Sequence, residues 1–371
     1  MRWFLALLGI VGATLPAADP PAQQVTVDQL TLISVSGNAA DLGLASGKAL
    51  GERIRFLSTA MGLAPGLQDP VRGAQRAGCL AAIRPEHRAE IAAAAAASGV
   101  DEARLATAHL VIECMCSAIA VLPDQDRPLR VARNMDFFPA DLLGAQTIIQ
   151  VWRPDDGRRA VASIGWPGFS GVISGINDAG LSACILLNFA GVDLPPAEPL
   201  PLVVRHLLET CATVDDAARA FAAIRPGASH YVLVADAQTA AVLWWDREAM
   251  RRCDPTAGFL AVDNEPRDDA GAALGERACL LLANGAEHPG DPDWLRRCLS
   301  ATFLPNLNAQ AMVFTPATRE VLVARGGSFT PASRQTWLAV DLADLLTGAA
   351  PAEAMFRRLG TVEALPHYAG E

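Results

Sequence analysis

Lysine is almost missing. Lys48 is the single lysine in 371 residues, and arginine carries nearly all the remaining positive charge. Most lysine-based chemistry is excluded at once. Lys48 lies in GLASGKAL, which superficially resembles a phosphate-binding loop. The first glycine of that motif falls on Leu42 and its Ser/Thr on Ala49, so a nucleotide site there is rejected. Positive charge as a whole is scarce. The chain has 30 basic and 40 acidic residues, a net charge of −10, which speaks against nucleic acid or a polybasic membrane surface. Zinc-site spacing is lacking too. No pair among the eight cysteines has a matching second pair, and the Cys114-Met115-Cys116 spacing alone proposes no metal. No metal or organic cofactor is expected. Disulfide connectivity and oligomeric state are not legible.

Long apolar runs are absent beyond the N-terminus. MRWFLALLGIVGATLPAADPPAQQ has a basic start, about a dozen apolar residues and small residues near Ala17 and Ala18, the pattern of a secretory signal over residues 1–18. The run is short for a bilayer span. A periplasmic or secreted protein with no membrane anchor after signal removal is expected. The Pro-rich LPAADPPAQQ reads as a tether.

Gln29 to Gly37 reads as a strand, and Asn38 to Met61 as a helix with Gly43, Gly47 and Gly51 on one face. Glycine weakens a helix, so three on one face suit a very close neighbour. A second helix covers PEHRAEIAAAAAAS, closed by Gly99. A third follows Asp101 as N-cap through DEARLATAHLVIE. After Cys116 come short alternating runs broken by turn residues, with a tight turn at Asn177–Gly180. Two helices follow, the second capped by Thr213 with Asp216 three residues on. Then come a hairpin, the strand FLAV, helices near Ala272–Ala283 and Asp293–Ala301, and another hairpin. Hairpins with paired helices between them imply α+β layering with antiparallel sheets.

Cys116 heads the strand CSAIAVL. A thiol is a good nucleophile only as thiolate, and it needs a base or a neighbouring cation. No histidine is near in sequence. Scission between Met115 and Cys116 would place an α-amine on the nucleophilic residue itself, with a reference pKa of roughly 7.7–8.0. Arg133 and Asp136 stand on the next strand-like run. If the two runs pair antiparallel across LPDQDRP, both return beside Cys116, where arginine favours thiolate and aspartate orients the amine. Cys114 is the rival nucleophile, and a dyad with His206 or His230 is another reading.

These residues carry a resemblance. MCSAIAV…RVARNMDFF resembles the strand pair of cysteine N-terminal-nucleophile hydrolases, among them choloylglycine hydrolases and penicillin V acylases. More of the chain resembles the acyl-CoA:6-aminopenicillanate acyltransferase family of C45-type peptidases. GNAADLGLASGKALGERIR and RPEHRAEIAAAAAASGVDEARLATAHLVIE resemble its pro-segment. SGINDAGLSACILLNF and LAVDNEP resemble two of its strand ends. The resemblance spans about Gly37 to Gly327. It implies one structural domain with a four-layer αββα sandwich of two antiparallel sheets. It also implies a mainly helical pro-segment, 19–115, that stays bound as a small chain after self-cleavage, and a catalytic chain, 116–371. Cys116 would be nucleophile, with Arg133 and Asp136 in the active site. Asn188 and Asn264 would form the oxyanion hole and position the amine. The implied reaction is hydrolysis of a small-molecule N-acyl amide, or acyl transfer to an amine or thiol. A non-catalytic binding protein retaining the fold is the reading from another class. Two positions depart from the family pattern: Met115 replaces a glycine before the nucleophile, and Asp263 replaces the threonine of Thr-Asn. FTPASR resembles a bile-salt-hydrolase string but follows its hairpin, which makes Arg334 a weak site candidate.

Overall fold

The computed structural model describes residues 22–61, 70–110, 114–267 and 274–368, with the side chains of 70–73 excepted. The expected signal segment lies outside them. The described chain forms two stacked sheets. One has nine strands in the spatial order Ala22–Val27, Leu30–Gly37, Ile148–Pro154, Val161–Gly165, Ser174–Asn177, Ser182–Leu186, Tyr231–Ala235, Ala240–Trp245 and Met250–Cys253. The other has seven: Phe259–Val262, Met115–Val121, Arg130–Asp136, Asn308–Thr315, Glu320–Arg325, Trp337–Asp341 and Phe356–Gly360.

Helices Ala39–Met61, Leu200–Thr210 and Val214–Ala223 contact the nine-stranded sheet, and Pro85–Ser98 packs on Ala39–Met61. Helices Glu276–Gly285 and Pro292–Thr302 contact the seven-stranded one. The architecture is therefore the expected α+β sandwich, in the order helix, sheet, sheet, helix.

One strand pair corrects the all-antiparallel expectation. Leu30–Gly37 runs parallel to Ile148–Pro154. The two are joined by more than a hundred residues containing the early helices and the Cys116 hairpin, long enough to allow a parallel crossover. A second correction concerns the Pro-rich tether, because Ala22–Val27 at its end is an edge strand paired with Leu30–Val35. The segment before Cys116 thus contributes two strands as well as helices. The helix expected through Glu113 spans only Glu102–Thr107, continues as one 3-10 turn to Leu110, and its last three positions lie outside the described residues.

The glycine face does what its spacing implied. A Cβ on Gly43 would lie 2.0 Å from the Glu90 carbonyl oxygen, and one on Gly47 would lie 2.7 Å from Ala97 Cβ. The helices Ala39–Met61 and Pro85–Ser98 can approach this closely only because those side chains are hydrogen atoms. Asp101 and Thr213 cap their helices, accepting from Arg104 N–H at 2.9 Å and Asp216 N–H at 3.1 Å. Asn177 closes the tight turn, its Oδ1 accepting from Ala179 and Leu181 N–H.

Strand periodicity aims the nucleophile. Cys116, Ala118 and Ala120 belong to the large core between the sheets, whereas Ile119 and Val121 belong to the core beneath helices Glu276–Gly285 and Pro292–Thr302. Successive side chains of one strand thus serve different layers. Cys116 lies at the head of its strand and faces the inter-sheet space.

Candidate active site

The two strands that carry the candidate residues pair antiparallel, with Ala118 opposite Arg133 and Met115 opposite Asp136. This is the pairing expected across LPDQDRP. Arg133 Nη2 donates to Cys116 Sγ at 2.7 Å. Its Nη1 crosses to the other sheet and donates to Ile173 O at 3.0 Å and Ser174 Oγ at 2.6 Å. Arg133 is completely buried. Burial works against its charge, but the thiols of Cys116, Cys184 and Cys114 raise its pKa above the ordinary arginine value.

Two thiols compete for the role of nucleophile, and their surroundings separate them. For Cys116, burial favours the neutral thiol. The hydrogen bond from Cys114 and the Arg133 guanidinium outweigh it, leaving the pKa below the ordinary thiol value. For Cys114, the hydrogen bond to Cys116 and burial both favour the neutral thiol, and its pKa is raised well above that value. Cys116 is therefore the better thiolate. Cys184, also beside Arg133, is pushed by burial to about 11. Cys79, Cys114, Cys116, Cys184, Cys211 and Cys298 are buried free thiols.

Asn264 meets the peptide that scission would break. Its Oδ1 accepts from Cys116 N–H at 2.9 Å, and its Nδ2 donates to Leu187 O at 2.7 Å. Asp136 does not bond that nitrogen, contrary to the expectation that it would orient the amine. It is held by Arg277 Nη1 on Oδ2 at 2.9 Å and by Asn308 Nδ2 on Oδ1 at 2.9 Å. Burial raises its pKa to about 6, against the pull of Arg277 and Asn308.

Arg277 was not anticipated from sequence. It ties the site together, with Nη2 donating to Cys116 O at 2.9 Å and to Asn264 Oδ1 at 2.5 Å. It stands in the first turn of helix Glu276–Gly285, where the helix dipole disfavours a cation. A buried arginine in that position is the signal that sequence reading left unused. The substituted Asp263 explains how it is held. Asp263 Oδ2 accepts from Ala278 N–H at 3.0 Å, anchoring the first turn that carries Arg277.

Asn188 is not in hydrogen-bond contact with these groups. Its Oδ1 accepts from Ala190 N–H at 2.9 Å. Its neighbour Leu187 does touch the site, donating from N–H to Cys114 O at 3.2 Å. Asn188 instead lines a cavity of about 410 Å³ with His109, Phe189, Leu200 and His230. His206 and His230 do not form a dyad with Cys116; among the described residues no histidine nitrogen bonds its sulfur. Arg334 donates to Ser300 O and stacks over Phe303, on the helical side of the seven-stranded sheet.

A second cavity, of about 150 Å³, adjoins Phe137, the residue after Asp136. Its walls include Ile54, Leu57, Leu105, Trp166 and Phe169. Among the described residues, no group of three or more His, Cys, Asp or Glu side chains could hold a metal ion.

Residues 123–260 match the family model described as acyl-coenzyme A:6-aminopenicillanic acid acyl-transferase. The chain is similar to that acyltransferase family. The match begins after Cys116 and ends before Asn264, so it includes Arg133, Asp136 and Asn188 and is independent of the strand head itself. No curated protein sequence matches the chain. Among solved structures, a Caenorhabditis elegans ortholog of N-acylethanolamine-hydrolyzing acid amidase has 18% identity and a TM-score of 0.45, covering 54% of this chain and 93% of its own. Penicillin V acylase from Agrobacterium tumefaciens has 14% identity and a TM-score of 0.43, covering 67% and 99%. A conjugated bile acid hydrolase variant from Clostridium perfringens has 14% identity and a TM-score of 0.41, covering 67% and 98%.

Proposed function

We propose that this chain is an exported precursor of an amidase that cuts itself before Cys116 and then cleaves small-molecule N-acyl amides. The observation that carries the reading is one arrangement: Cys116 Sγ held by Arg133 at 2.7 Å while Cys116 N–H is held by Asn264 Oδ1 at 2.9 Å. Sulfur and nitrogen of a single residue each have a dedicated partner.

In the first stage the thiolate attacks the Met115 carbonyl carbon. The C–N bond breaks, the nitrogen takes a proton, and Met115 becomes a thioester on Cys116. Water hydrolyses the thioester to a Met115 carboxylate and frees the thiol. The nitrogen is now an α-amine, still facing Asn264. In the second stage the amine takes the thiol proton, directly or through one water, and the thiolate attacks the substrate carbonyl. The protonated amine gives its proton to the leaving amine, and water releases the acyl group. Arg133 stabilises the thiolate. Asn264, itself fixed by Arg277 and Leu187, orients the amine. Asn188 stands one residue from the site, with its carboxamide in the cavity wall, where its NH2 group is the donor for an oxyanion or a leaving amine. The apolar cavity against Phe137 receives one half of the amide.

An acyl acceptor in place of water makes the same enzyme an acyltransferase, a reading favoured by the description of the matching family. Intact mass and N-terminal sequencing test the first stage: two chains are expected, the larger starting at Cys116. Turnover of an N-acyl amide panel, with and without added amine or thiol, tests the second. A preparation that splits amides yet contains no chain starting with cysteine overturns the mechanism. An intact chain whose Cys116 resists iodoacetamide favours a binding protein.

A further inference from the structure

The cavity beside Phe137 has an uneven charge. Among the described residues its wall contains no acidic side chain, although the chain as a whole has a net charge of −10. Two arginines do line it, Arg76 and Arg104. Arg76 is half-buried and is braced by Thr107 Oγ1, which accepts from its Nη2. Thr107 Oγ1 in turn donates to Ala103 O at 2.6 Å. Arg104 is exposed on the same short helix, Glu102–Thr107. Among the described residues neither guanidinium lies within ion-pair distance of a carboxylate. Asp101, three residues before Arg104, is engaged as the helix cap on Arg104 N–H.

The interior of the cavity is different. Ile54, Leu57, Met61, Leu105, Phe137, Leu143, Trp166 and Phe169 supply an apolar surface. Ser58 Oγ is buried and has no hydrogen-bond partner, in a residue that lines the cavity. An apolar cavity of about 150 Å³ accepts a group the size of benzene. So the volume admits one ring or a short branched chain, and the two arginines line the same wall.

We propose that Arg76 and Arg104 select a substrate with an anionic group, a carboxylate, attached to a ring-sized apolar portion that fills the cavity. The proposal rests on the amidase reading above and sharpens its substrate class. Guanidinium recognises carboxylate by paired N–H donors, and a neutral analogue of the same shape gains the apolar contacts only. The carboxylate belongs either to the acyl half or to the amine half of the amide.

Two measurements test this. The first is binding, independent of turnover. The Cys116→Ala chain is titrated by calorimetry with 4-phenylbutyrate and with neutral 4-phenylbutanol. The acid is expected to bind about tenfold more tightly, and the Arg76→Gln/Arg104→Gln double variant to bring the two within twofold. The second is kcat/KM on matched anilides, phenylacetyl-4-aminobenzoate and (4-carboxyphenyl)acetyl anilide, each against its methyl ester. The carboxylate member of at least one pair is expected to be preferred about tenfold, the pair identifying which half carries the charge. The double variant is expected to lose that preference. Equal binding of acid and alcohol by the parent chain, or a preference that survives both substitutions, overturns the proposal. Absence of turnover with the binding preference intact overturns the amidase reading alone.

Discussion

Replacing Asn264 with alanine removes both bonds that its Oδ1 accepts, one from the neutral Cys116 N–H at 2.9 Å and one from the Arg277 guanidinium at 2.5 Å. It also removes the donor that fixes Leu187 O. A neutral hydrogen bond contributes about 0.5–1.5 kcal/mol net and one to a charged group about 1.5–3 kcal/mol. The first two together are worth about 2–4.5 kcal/mol, or roughly 30- to 2,000-fold in rate if the transition state keeps both. In the proposed scission step these contacts would hold the nitrogen that leaves, and in the proposed turnover they would hold the amine that moves the proton. One substitution should therefore slow both stages. The first is read as the rate at which a chain with N-terminal Cys116 appears by intact mass. The second is kcat per cut chain. The denaturation midpoint checks that the fold is kept. If Asn264→Ala cuts itself and turns over amides within threefold of the parent, Asn264 does not position that nitrogen and the reasoning fails.

Other outcomes follow from the same geometry. Cβ atoms at Gly43 and Gly51 meet different surroundings, 2.0 Å from Glu90 O in one case and no closer than 3.4 Å to the mobile end of Arg55 in the other. Gly43→Ala should cost about 1–3 kcal/mol in urea denaturation, whereas Gly51→Ala should gain about 0.5–1 kcal/mol. His109 is buried as a neutral ring, its Nε2 accepting from Ser170 N–H and its Nδ1 facing Ala106 O. Burial lowers its pKa to about 4, so its contribution is present above 6.5 and is lost as pH falls from 6.5 towards 4. That gap corresponds to about 3 kcal/mol, and His109→Gln, which can donate and accept as the neutral ring does, should flatten the acid limb of stability against pH. Arg205 holds Glu90 through two bonds of 2.8 and 2.7 Å and Glu209 at 3.0 Å, all three side chains buried. Arg205→Met should cost about 3–5 kcal/mol by leaving carboxylates buried and unpaired.

Local features were legible. The hairpin carrying Cys116, Arg133 and Asp136 could be read because both strands and their turn lie within about twenty residues, where alternation fixes which side chains share a face. The close helix pair could be read because glycine at intervals of four has little other use. What escaped was long-range. Arg277 is 161 residues from Cys116 and sits in a helix whose apolar pattern says nothing of its first turn. Asp136 was expected to hold the amine, but the strand register alone could not show that Asn308 and Arg277 would claim both its oxygens. Asn188 was placed by resemblance near the sulfur, and the turn after Ser182–Leu186 sends its carboxamide oxygen to Ala190 instead. The parallel strand pair was hidden for the same reason, since its partners are separated by the whole early helical region.

That parallel pair has a consequence for the life of the molecule. Leu30–Gly37 is hydrogen-bonded into the same sheet as Ile148–Pro154, so a break before Cys116 would leave the early residues woven into the later ones. Folding would then have to be finished before the cut, as an event within one polypeptide. Once nicked and melted, the halves would have to find each other in solution, and recovery would depend on concentration. The enzyme would pass from a reversible folder to one whose lifetime is set by how slowly it comes apart.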